Sequence, residues 1–353
     1  MRISVKTQIA LLFFVIACAI GVVTILIVNS IITNQIIYEA QERVKEHLSS
    51  ARWVYNSKIR EIDRIVYWTS IRHVLKKALA EKNVSAIKKE LTGIMSQEGL
   101  DFLTLVDENR TVIYRFHNPE KSGDDLSADS FIKVSLEEKG VSGTQILTHE
   151  ELLKDGGNLA KRARIQLVPT PLEKPTEKLE ETSGMVLKSA YPVTDFNGRL
   201  IGVLTGGVLL NRNYELVDQI KNIVFKEAKY RGKEIGTATI FMGDLRIATN
   251  VIDKEGNRAV GTRVMKEVYE QVFERGLPWV QRAFVVDDWY ITAYEPIRDI
   301  DDRIIGILYV GMLESKYTVM KERIILLFFL FSSLGMLLAL TISFFFSWKM
   351  LKK

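Results

Sequence analysis

The sequence predicts an α+β fold in which two similar modules with antiparallel sheets follow a long N-terminal helix and lie between two membrane-spanning helices. Three observations support this prediction. The chain of 353 residues has a long apolar segment near each end, a stretch with helical spacing and no Pro or Gly after the first of them, and a motif that occurs twice in the remainder.

The two apolar segments predict a protein that crosses a membrane twice. Residues 9–32 and 324–348 contain no Asp, Glu, Lys or Arg, and each exceeds the roughly 20 residues that cross a hydrocarbon core. We predict transmembrane helices over 9–32 and 318–348. The tails 1–8 and 349–353 carry no acidic residue, so the positive-inside rule predicts that both are cytoplasmic. The basic residues of the tails are Arg2, Lys6, Lys349, Lys352 and Lys353.

A cleaved signal peptide is the alternative interpretation of the first apolar segment. Signal peptides have a shorter apolar run of about 7 to 15 residues and end at a small-residue site of the Ala-x-Ala type. No such site precedes the helix that follows residue 32, so a membrane anchor is the favoured interpretation.

Composition excludes several functions for the region between the apolar segments. The chain has 48 basic and 43 acidic residues, and the two tails supply five of the basic ones, so the remainder is balanced and nothing predicts a nucleic-acid partner. The single cysteine, Cys18, lies in the first apolar segment, which excludes disulfides and thiolate metal sites outside it. The four histidines are scattered and no catalytic motif is present, so we predict no cofactor, no metal and no catalytic residue.

A long helix is predicted to follow the first apolar segment, from residue 33 to about 82. Apolar residues recur there at steps of three, four or seven, which places them on one stripe of a helix. Such a helix can dock on the domain behind it or pair with a second copy of the chain. Asn83 is a predicted N-cap, and a shorter helix should end near Ser96, so we assign residues 33–98 to these two helices. The stripe is formed by Ile37, Val44, Leu48, Ala51, Tyr55, Ile59, Ile62 and Val66.

Strand-type patterns begin at Leu100, and we assign residues 99–212 to a first module. Residues 102–106 and 111–116 flank a four-residue turn and predict a β-hairpin. A helix is expected over about 130–139. Further strands are expected over 165–168, 185–193 and 200–209. The segment 169–184, with three prolines and many charges, is predicted to be an exposed excursion.

A repeat predicts a second module of the same kind. Residues 192–204 align without a gap with residues 296–308, and Pro, Asp, Arg, Ile, Gly and Leu match in the two copies. The hairpin at 102–116 corresponds to residues 237–249. We therefore assign residues 233–317 to the second module and 213–232, with a helix over 214–229, to the linker between them.

These features resemble the double Cache sensor regions of bacterial histidine kinases and chemoreceptors. The resemblance covers residues 33–323 and includes the segment Tyr114-Arg-Phe-His-Asn-Pro-Glu-Lys-Ser-Gly-Asp-Asp-Leu-Ser, which is also similar to a loop of citrate- and fumarate-type sensor kinases. It implies two tandem PAS-like (Cache) modules, with the first farther from the membrane. The sequence has no HAMP linker, kinase, cyclase or methyl-accepting segment, so it corresponds to a truncated receptor or to the sensing subunit of a separate output protein.

The resemblance also implies a function and a location. We expect the ligand-sensing part of a transmembrane receptor of the bacterial inner membrane, with the sensor region periplasmic or extracellular. A sensor histidine kinase is the first choice and a chemoreceptor the second. The expected partners are a small-molecule ligand, the membrane, a cytoplasmic output domain and a second copy of the chain in a homodimer. Three alternatives stay open: a module that binds a periplasmic solute-binding protein, a structural membrane protein without a signal, and an enzyme whose catalytic output domain, such as a histidine kinase domain, is missing from this sequence.

Candidate ligand-binding residues lie in the first module. Strand alternation predicts Arg115 and His117 on one face, where a guanidinium and an imidazole suit a carboxylate. Lys188 occupies the position of a pocket-facing basic residue in the similar carboxylate sensors, whereas Ala190 replaces their second cation. The expected ligand is therefore a small anionic metabolite with few charges.

Two further residues are weaker candidates for the same site. Tyr191 could close the pocket and Arg164 could reach into it from the preceding strand; each has a structural role as its alternative. In the second module, an aromatic cluster is interpreted as core packing. This cluster comprises Trp279, Trp289, Tyr290 and Tyr294.

Overall fold

A computed structural model describes residues 5–225, 229–230 and 233–350 of the chain. These residues form two compact units. One is Val44–Met312, and the other combines Met1–Arg43 with Leu313–Lys353. Most residues of the predicted cytoplasmic tails, including Arg2, Lys352 and Lys353, lie outside the described residues.

The smaller unit contains the two apolar helices. Helix α1 spans Val5–Ser70 and continues into the larger unit, and helix α9 spans Glu314–Met350. Both are long and apolar enough to cross a membrane, and their most apolar stretches are not buried by protein. Their length and their exposed apolar side chains are consistent with the prediction of two membrane spans, which flank the remaining elements in the sequence.

The predicted long helix is interrupted earlier than the sequence indicated. Helix α1 ends at Ser70 instead of residue 82, and a separate helix α2, His73–Ala80, follows. The hydroxyl groups of Thr69 and Ser70 donate to the carbonyl oxygens of Ile65 and Tyr67, at 2.6 and 2.8 Å. Such bonds compete with the backbone ladder and favour a helix end, which the apolar stripe did not reveal.

The helices around this break pack as the sequence predicted. Helix α3 spans Val84–Glu98, and the Asn83 side chain accepts a hydrogen bond from the Ala86 backbone N–H at 3.1 Å. Six of the eight residues of the predicted stripe are buried. They are Val44, Leu48, Ala51, Tyr55, Ile62 and Val66.

The first module is a five-stranded antiparallel sheet with helices on both faces. Its strand order is β2-β1-β7-β6-β3. In chain order its elements are β1 Phe102–Val106, β2 Val112–Arg115, α4 Ser130–Leu136, β3 Val141–Leu147, α5 His149–Asp155, α6 Leu159–Ala163, β4 Ile165–Gln166, β5 Glu180–Glu181, β6 Gly184–Thr194 and β7 Leu200–Leu209.

The two faces of this sheet have different neighbours. On one face, α4 packs through Phe131 and Ile132 against Ala190 and Val203, and α5 and α6 cover the adjoining part. On the other face, the α1 residue Asp63 accepts hydrogen bonds from Ser189 and Tyr191, both at 3.1 Å. Alternation along β6 therefore sends Lys188 and Ala190 toward the face covered by α4 and α5.

The second module repeats this topology, with strand order β11-β10-β14-β13-β12. Helix α7 precedes it and ends at Phe225; residues 226–228, where the sequence predicted its continuation, lie outside the described residues. The elements are α7 Tyr214–Phe225, β8 Lys229–Tyr230, β9 Lys233–Glu234, β10 Gly236–Met242, β11 Leu245–Thr249, α8 Lys266–Tyr269 with a π-helical turn Glu270–Glu274, β12 Trp279–Val285, β13 Asp288–Arg298 and β14 Ile304–Leu313. The predicted α+β fold of two similar modules is confirmed.

The segment 169–184 is largely exposed or half-buried, as the sequence predicted, and it also contacts the second module. The Lys266 N–H donates to the Leu172 carbonyl at 2.8 Å, and the Thr170 hydroxyl donates to the Arg263 carbonyl at 3.2 Å. Lys174 forms an ion pair with Glu274 at 2.8 Å. These hydrogen bonds and this ion pair connect the segment to the second module.

Candidate functional site

A small polar cavity lies in the first module, between the sheet and helices α4 and α5. Its volume is about 130 Å³, and strands β1, β2, β6 and β7 contribute Thr104, Arg115, Lys188 and Thr205 to its wall. The remaining wall is supplied by the loop before α4 and by the end of α5. Residues far apart in the sequence therefore meet at one face of the sheet.

Arg115 is the most completely bonded side chain of the cavity. It is 2% exposed, and its guanidinium donates to both carboxylate oxygens of Asp124, at 2.6 and 2.9 Å. It also donates to Asp155 at 3.0 Å and to the Lys121 carbonyl at 2.7 Å. A register shift next to Val106 lets Val112 and Arg115 face the same side of the sheet. The hydrogen bonds of the Arg115 guanidinium are therefore made to protein groups on this face.

Lys188 forms a second buried ion pair on the same face. Its Nζ hydrogen-bonds to the Asp129 carboxylate, and it donates to Gln145 Oε1 at 2.9 Å. Asp129 is also the N-cap of α4, because it accepts from the Phe131 N–H at 2.9 Å. One carboxylate therefore connects the start of helix α4 with the cavity-facing side of strand β6.

The cavity carboxylates differ in their proton affinity. The hydrogen bonds from Arg115 lower the pKa of Asp124. Burial raises the pKa of Asp155, and its bonds to Arg115 and Thr104 only partly offset this effect. Burial also opposes the charged form of Asp129, but Lys188 and the backbone N–H groups prevail and lower its pKa. Of the three aspartates Asp124, Asp129 and Asp155, Asp155 is therefore the one that protonates most readily.

The structure brings together two of the five predicted ligand-binding residues, Arg115 and Lys188. His117 is exposed and does not line the cavity, because β2 ends at Arg115 and the alternation stops there. Its backbone instead pairs with Gly156. The prediction that Arg115 and His117 share a face as strand neighbours is therefore not met.

Arg164 and Tyr191 also lie away from the cavity. The Arg164 guanidinium is at the surface and donates to Glu180 at 2.7 Å. The Tyr191 hydroxyl points to the opposite face of the sheet and donates to Asp63. Lys188, three residues earlier in the same strand, faces the cavity because successive strand residues alternate between faces.

The carboxylates of the cavity were not predicted from the sequence. Asp124 is part of the Gly123-Asp-Asp-Leu motif, and Asp129 precedes the predicted helix as an N-cap would, so a signal existed for both. Asp155 gave no signal, because helix α5 was not predicted. Acidic residues outnumber basic ones around the cavity: Asp124, Asp125, Asp129, Glu151 and Asp155 face Arg115, Lys154 and Lys188.

A larger and more open cavity of about 520 Å³ lies between α1 and the two modules. Its central polar groups already pair with each other, because Arg52 donates to Glu295 at 2.8 Å. Much of the remaining wall is apolar, with Leu48, Val280 and Leu308 as examples. Of these two cavities, volume favours the larger, whereas the concentration of buried ionisable groups favours the smaller.

Comparisons with known proteins agree with the fold. Residues 208–324 match the family model described as Single cache domain 3. This match spans the second module and confirms the resemblance to Cache sensor regions. Cache domains are non-catalytic sensor modules. A search of curated proteins gives no significant match.

Several solved structures are similar in fold. The periplasmic domain of Vibrio cholerae LuxQ is 12% identical, with a TM-score of 0.44 over 76% of this chain and 99% of that one. The sensor domain of the V. cholerae histidine kinase DctB is 11% identical, with a TM-score of 0.42 over 78% and 98%. The sensory domain of the Campylobacter jejuni chemoreceptor Tlp3, with isoleucine bound, is 10% identical, with a TM-score of 0.41 over 82% and 97%.

Proposed function

We propose that this chain is the ligand-sensing part of a two-pass bacterial receptor, and that the cavity of the first module binds a small metabolite carrying an ammonium group. One observation carries the ligand class. Both buried cations of the cavity, Arg115 and Lys188, are already paired with carboxylates of the protein. The lining as a whole is acidic, which favours a positive group on the ligand.

The energetics of the ion pairs separate the possible ligands. A purely anionic metabolite would have to take Arg115 from Asp124, or Lys188 from Asp129, and would leave a buried carboxylate without its partner. Breaking a buried pair in this way costs about 3–5 kcal/mol. An ammonium group can bind the cavity carboxylates without breaking a pair. A zwitterion can then place its own carboxylate near Arg115 or Lys188, so the anionic ligand predicted from the sequence is refined to a zwitterionic or cationic one.

The contacts between the modules offer a route from this cavity to the second module. The ligand can shift a conformational equilibrium only by its difference in affinity for the two states. Strand β3 pairs with Asp299 through Thr144, and the Ser130 hydroxyl of α4 donates to Asp301 at 3.0 Å. Movement of α4 on ligand binding would act on the second module through these contacts.

The receptor type and its assembly belong to the same proposal. We retain the sensor histidine kinase as first choice, the chemoreceptor as second, and the homodimer. Support for the homodimer comes from Trp53 and Trp68, two large aromatic side chains exposed on α1. Light scattering of the chain in lipid nanodiscs measures the molar mass of the protein component and so tests the homodimer. A monomeric mass at all protein concentrations would contradict it.

A thermal-unfolding screen tests the ligand class. The full chain in nanodiscs is heated with succinate, with an α-amino acid panel and with simple amines at constant pH and ionic strength. We expect ammonium-bearing compounds to raise the unfolding temperature and succinate to leave it unchanged. Stabilisation by succinate alone would restore the anionic class.

The variants for this screen compare the cavity with a surface position outside it. D129N/K188M removes one buried pair as a unit, and we expect it to weaken or abolish the ligand effect. R164M removes a surface cation outside the cavity and should keep the effect. If the two variants showed the same ligand-induced change in unfolding temperature, the cavity would not be the binding site. If a solute-binding protein stabilised the chain but no metabolite did, direct sensing would be contradicted.

A further inference from the structure

Arg246 in the second module is a buried cation in an aromatic environment. It lies on β11 and is 2% exposed. Its guanidinium carbon is 5.2 Å from the centroid of the Phe241 ring. Tyr294 and Tyr309, which are also buried, are close enough to influence its ionisation. A charged side chain in such surroundings requires compensation.

The protein supplies little of this compensation. Nη1 of Arg246 donates to the Thr262 hydroxyl at 2.9 Å. Nε is buried and has no hydrogen-bond partner, and among the described residues no carboxylate pairs with the guanidinium. Burial lowers the pKa of Arg246, but a guanidinium stays protonated in proteins. The attraction of aromatic faces is worth far less than the cost of burying an unpaired charge.

Neighbouring arginines show what a compensated pair looks like in this module. Arg263 is paired with Asp244 and lies near Glu173. Arg258 is paired with Asp218 at 2.7 Å. The missing counter-charge is therefore a property of Arg246 and is not shared by the arginines around it.

We propose that Arg246 anchors a second ligand site, which takes a small monovalent anion of the short-carboxylate type. The anion accepts from the free Nε and neutralises the guanidinium within the aromatic cluster. Its size is restricted, because Tyr294 and Tyr309 occupy the centre of this face of the sheet, with ring centroids 4.6 Å apart. The site is distinct from the cavity of the first module, and its existence does not depend on the ligand proposed there.

The sign of a stability change tests this site. The full chain in nanodiscs is unfolded thermally in sodium gluconate, whose anion is much bulkier than acetate, and in sodium acetate at equal ionic strength. In gluconate, R246M should unfold at a higher temperature than the natural chain, because an apolar isostere removes an unpaired buried charge. In acetate, the natural chain should gain a few degrees and R246M should gain nothing.

R303M is the matched control, because Arg303 is a well-exposed cation of the same module. We expect it to respond to acetate as the natural chain does. If R246M unfolds below the natural chain in both salts and keeps the acetate response, Arg246 is a structural residue and the site does not exist.

Direct binding gives a second measurement that does not depend on the stability of R246M. Equilibrium dialysis with radiolabelled acetate is carried out on D129N/K188M, in which the cavity of the first module is disabled. We expect about one acetate per chain, lost when R246M is added to the background. Absence of acetate binding in D129N/K188M would overturn the proposal.

Discussion

The two modules share a topology but use the same sheet face differently. Strand registers equate Thr104, Arg115 and Thr205 of the first module with Thr239, Thr249 and Tyr309 of the second. The aligned repeat equates Lys188 and Ala190 with Thr292 and Tyr294. The first module therefore has small side chains and cations around a cavity, where the second has hydroxyl groups and two large tyrosines.

This difference shows how one fold can be specialised by few substitutions. Thr205 lies on the cavity wall above the first sheet and Ala190 packs under α4, whereas Tyr294 and Tyr309 place two large rings at the equivalent positions of the second sheet. The buried charges diverge as well. Arg115 and Lys188 are neutralised by carboxylates of their own module, whereas Arg246 lies at a position equivalent to Val112 and has no acidic partner among the described side chains.

Of the changes that test this comparison of the modules, breaking the Lys188–Asp129 ion pair of the first module should have the largest effect on stability. K188M leaves Asp129 buried without its cation, and both side chains of the pair are less than a tenth exposed. We expect a loss of about 3–5 kcal/mol in the free energy of unfolding, measured by denaturant titration. D129N/K188M should recover a large part of this loss, because no charge is left unpaired; a double variant as unstable as K188M would contradict the explanation.

Opening the second module should have a somewhat smaller effect. Tyr309 is fully buried and its hydroxyl group is 2.8 Å from that of Thr237. We expect Y309T to cost about 3 kcal/mol by leaving a cavity, whereas Y309F should cost only about 1 kcal/mol for the lost hydrogen bond. Equal destabilisation by the two variants would show that the hydrogen bond of Tyr309, and not the volume of its ring, accounts for its contribution to stability.

Closing the cavity of the first module is the reciprocal change. Thr205 lies on the cavity wall, and T205Y introduces the residue found at the equivalent position of the second module. We expect a cost of about 1–3 kcal/mol from overpacking and a complete loss of the ligand-induced rise in unfolding temperature. R164M, outside the cavity, should keep the rise. A T205Y chain that still responds to ligand would place the binding site elsewhere.

The sequence was sufficient for the part of the fold that is repeated. The matched Pro, Arg and Gly residues of the closing strands identified two modules, and the Asn83 N-cap identified the start of α3. Strand β3 was not predicted, because Val141–Leu147 is an edge strand with a partly exposed, irregular pattern. The short helices α5 and α6 were also missed, since five to seven residues hold too little periodicity to identify a helix.

The candidate site was predictable only where a single strand defines it. Arg115 was found from strand alternation, and Lys188 from the resemblance of its strand position to that of a basic residue in carboxylate sensors. Asp124, Asp129 and Asp155 come from loops and helix ends, and their approach to the two cations depends on how separate elements pack. Local spacing could not show that the cations were already paired, and for this reason the ligand was first expected to be an anion.

The pH dependence of stability should distinguish Asp155 from Asp124 in the cavity. This is the smallest of the predicted effects. The pKa of Asp155 is raised in the folded state above its ordinary value of 3.8, so protonation of Asp155 favours the folded state as the pH falls toward that value. The pKa of Asp124 is lowered, so its contribution is present above 3.8 and is lost as the pH falls through the lowered value. We expect D155N to lose more stability than the natural chain between neutral pH and about pH 4, because the variant cannot take up this proton.

D124N should differ from the natural chain mainly below that range. Thermal unfolding across a pH series measures both, and parallel curves for D155N and the natural chain would show that Asp155 keeps an ordinary proton affinity beside Arg115.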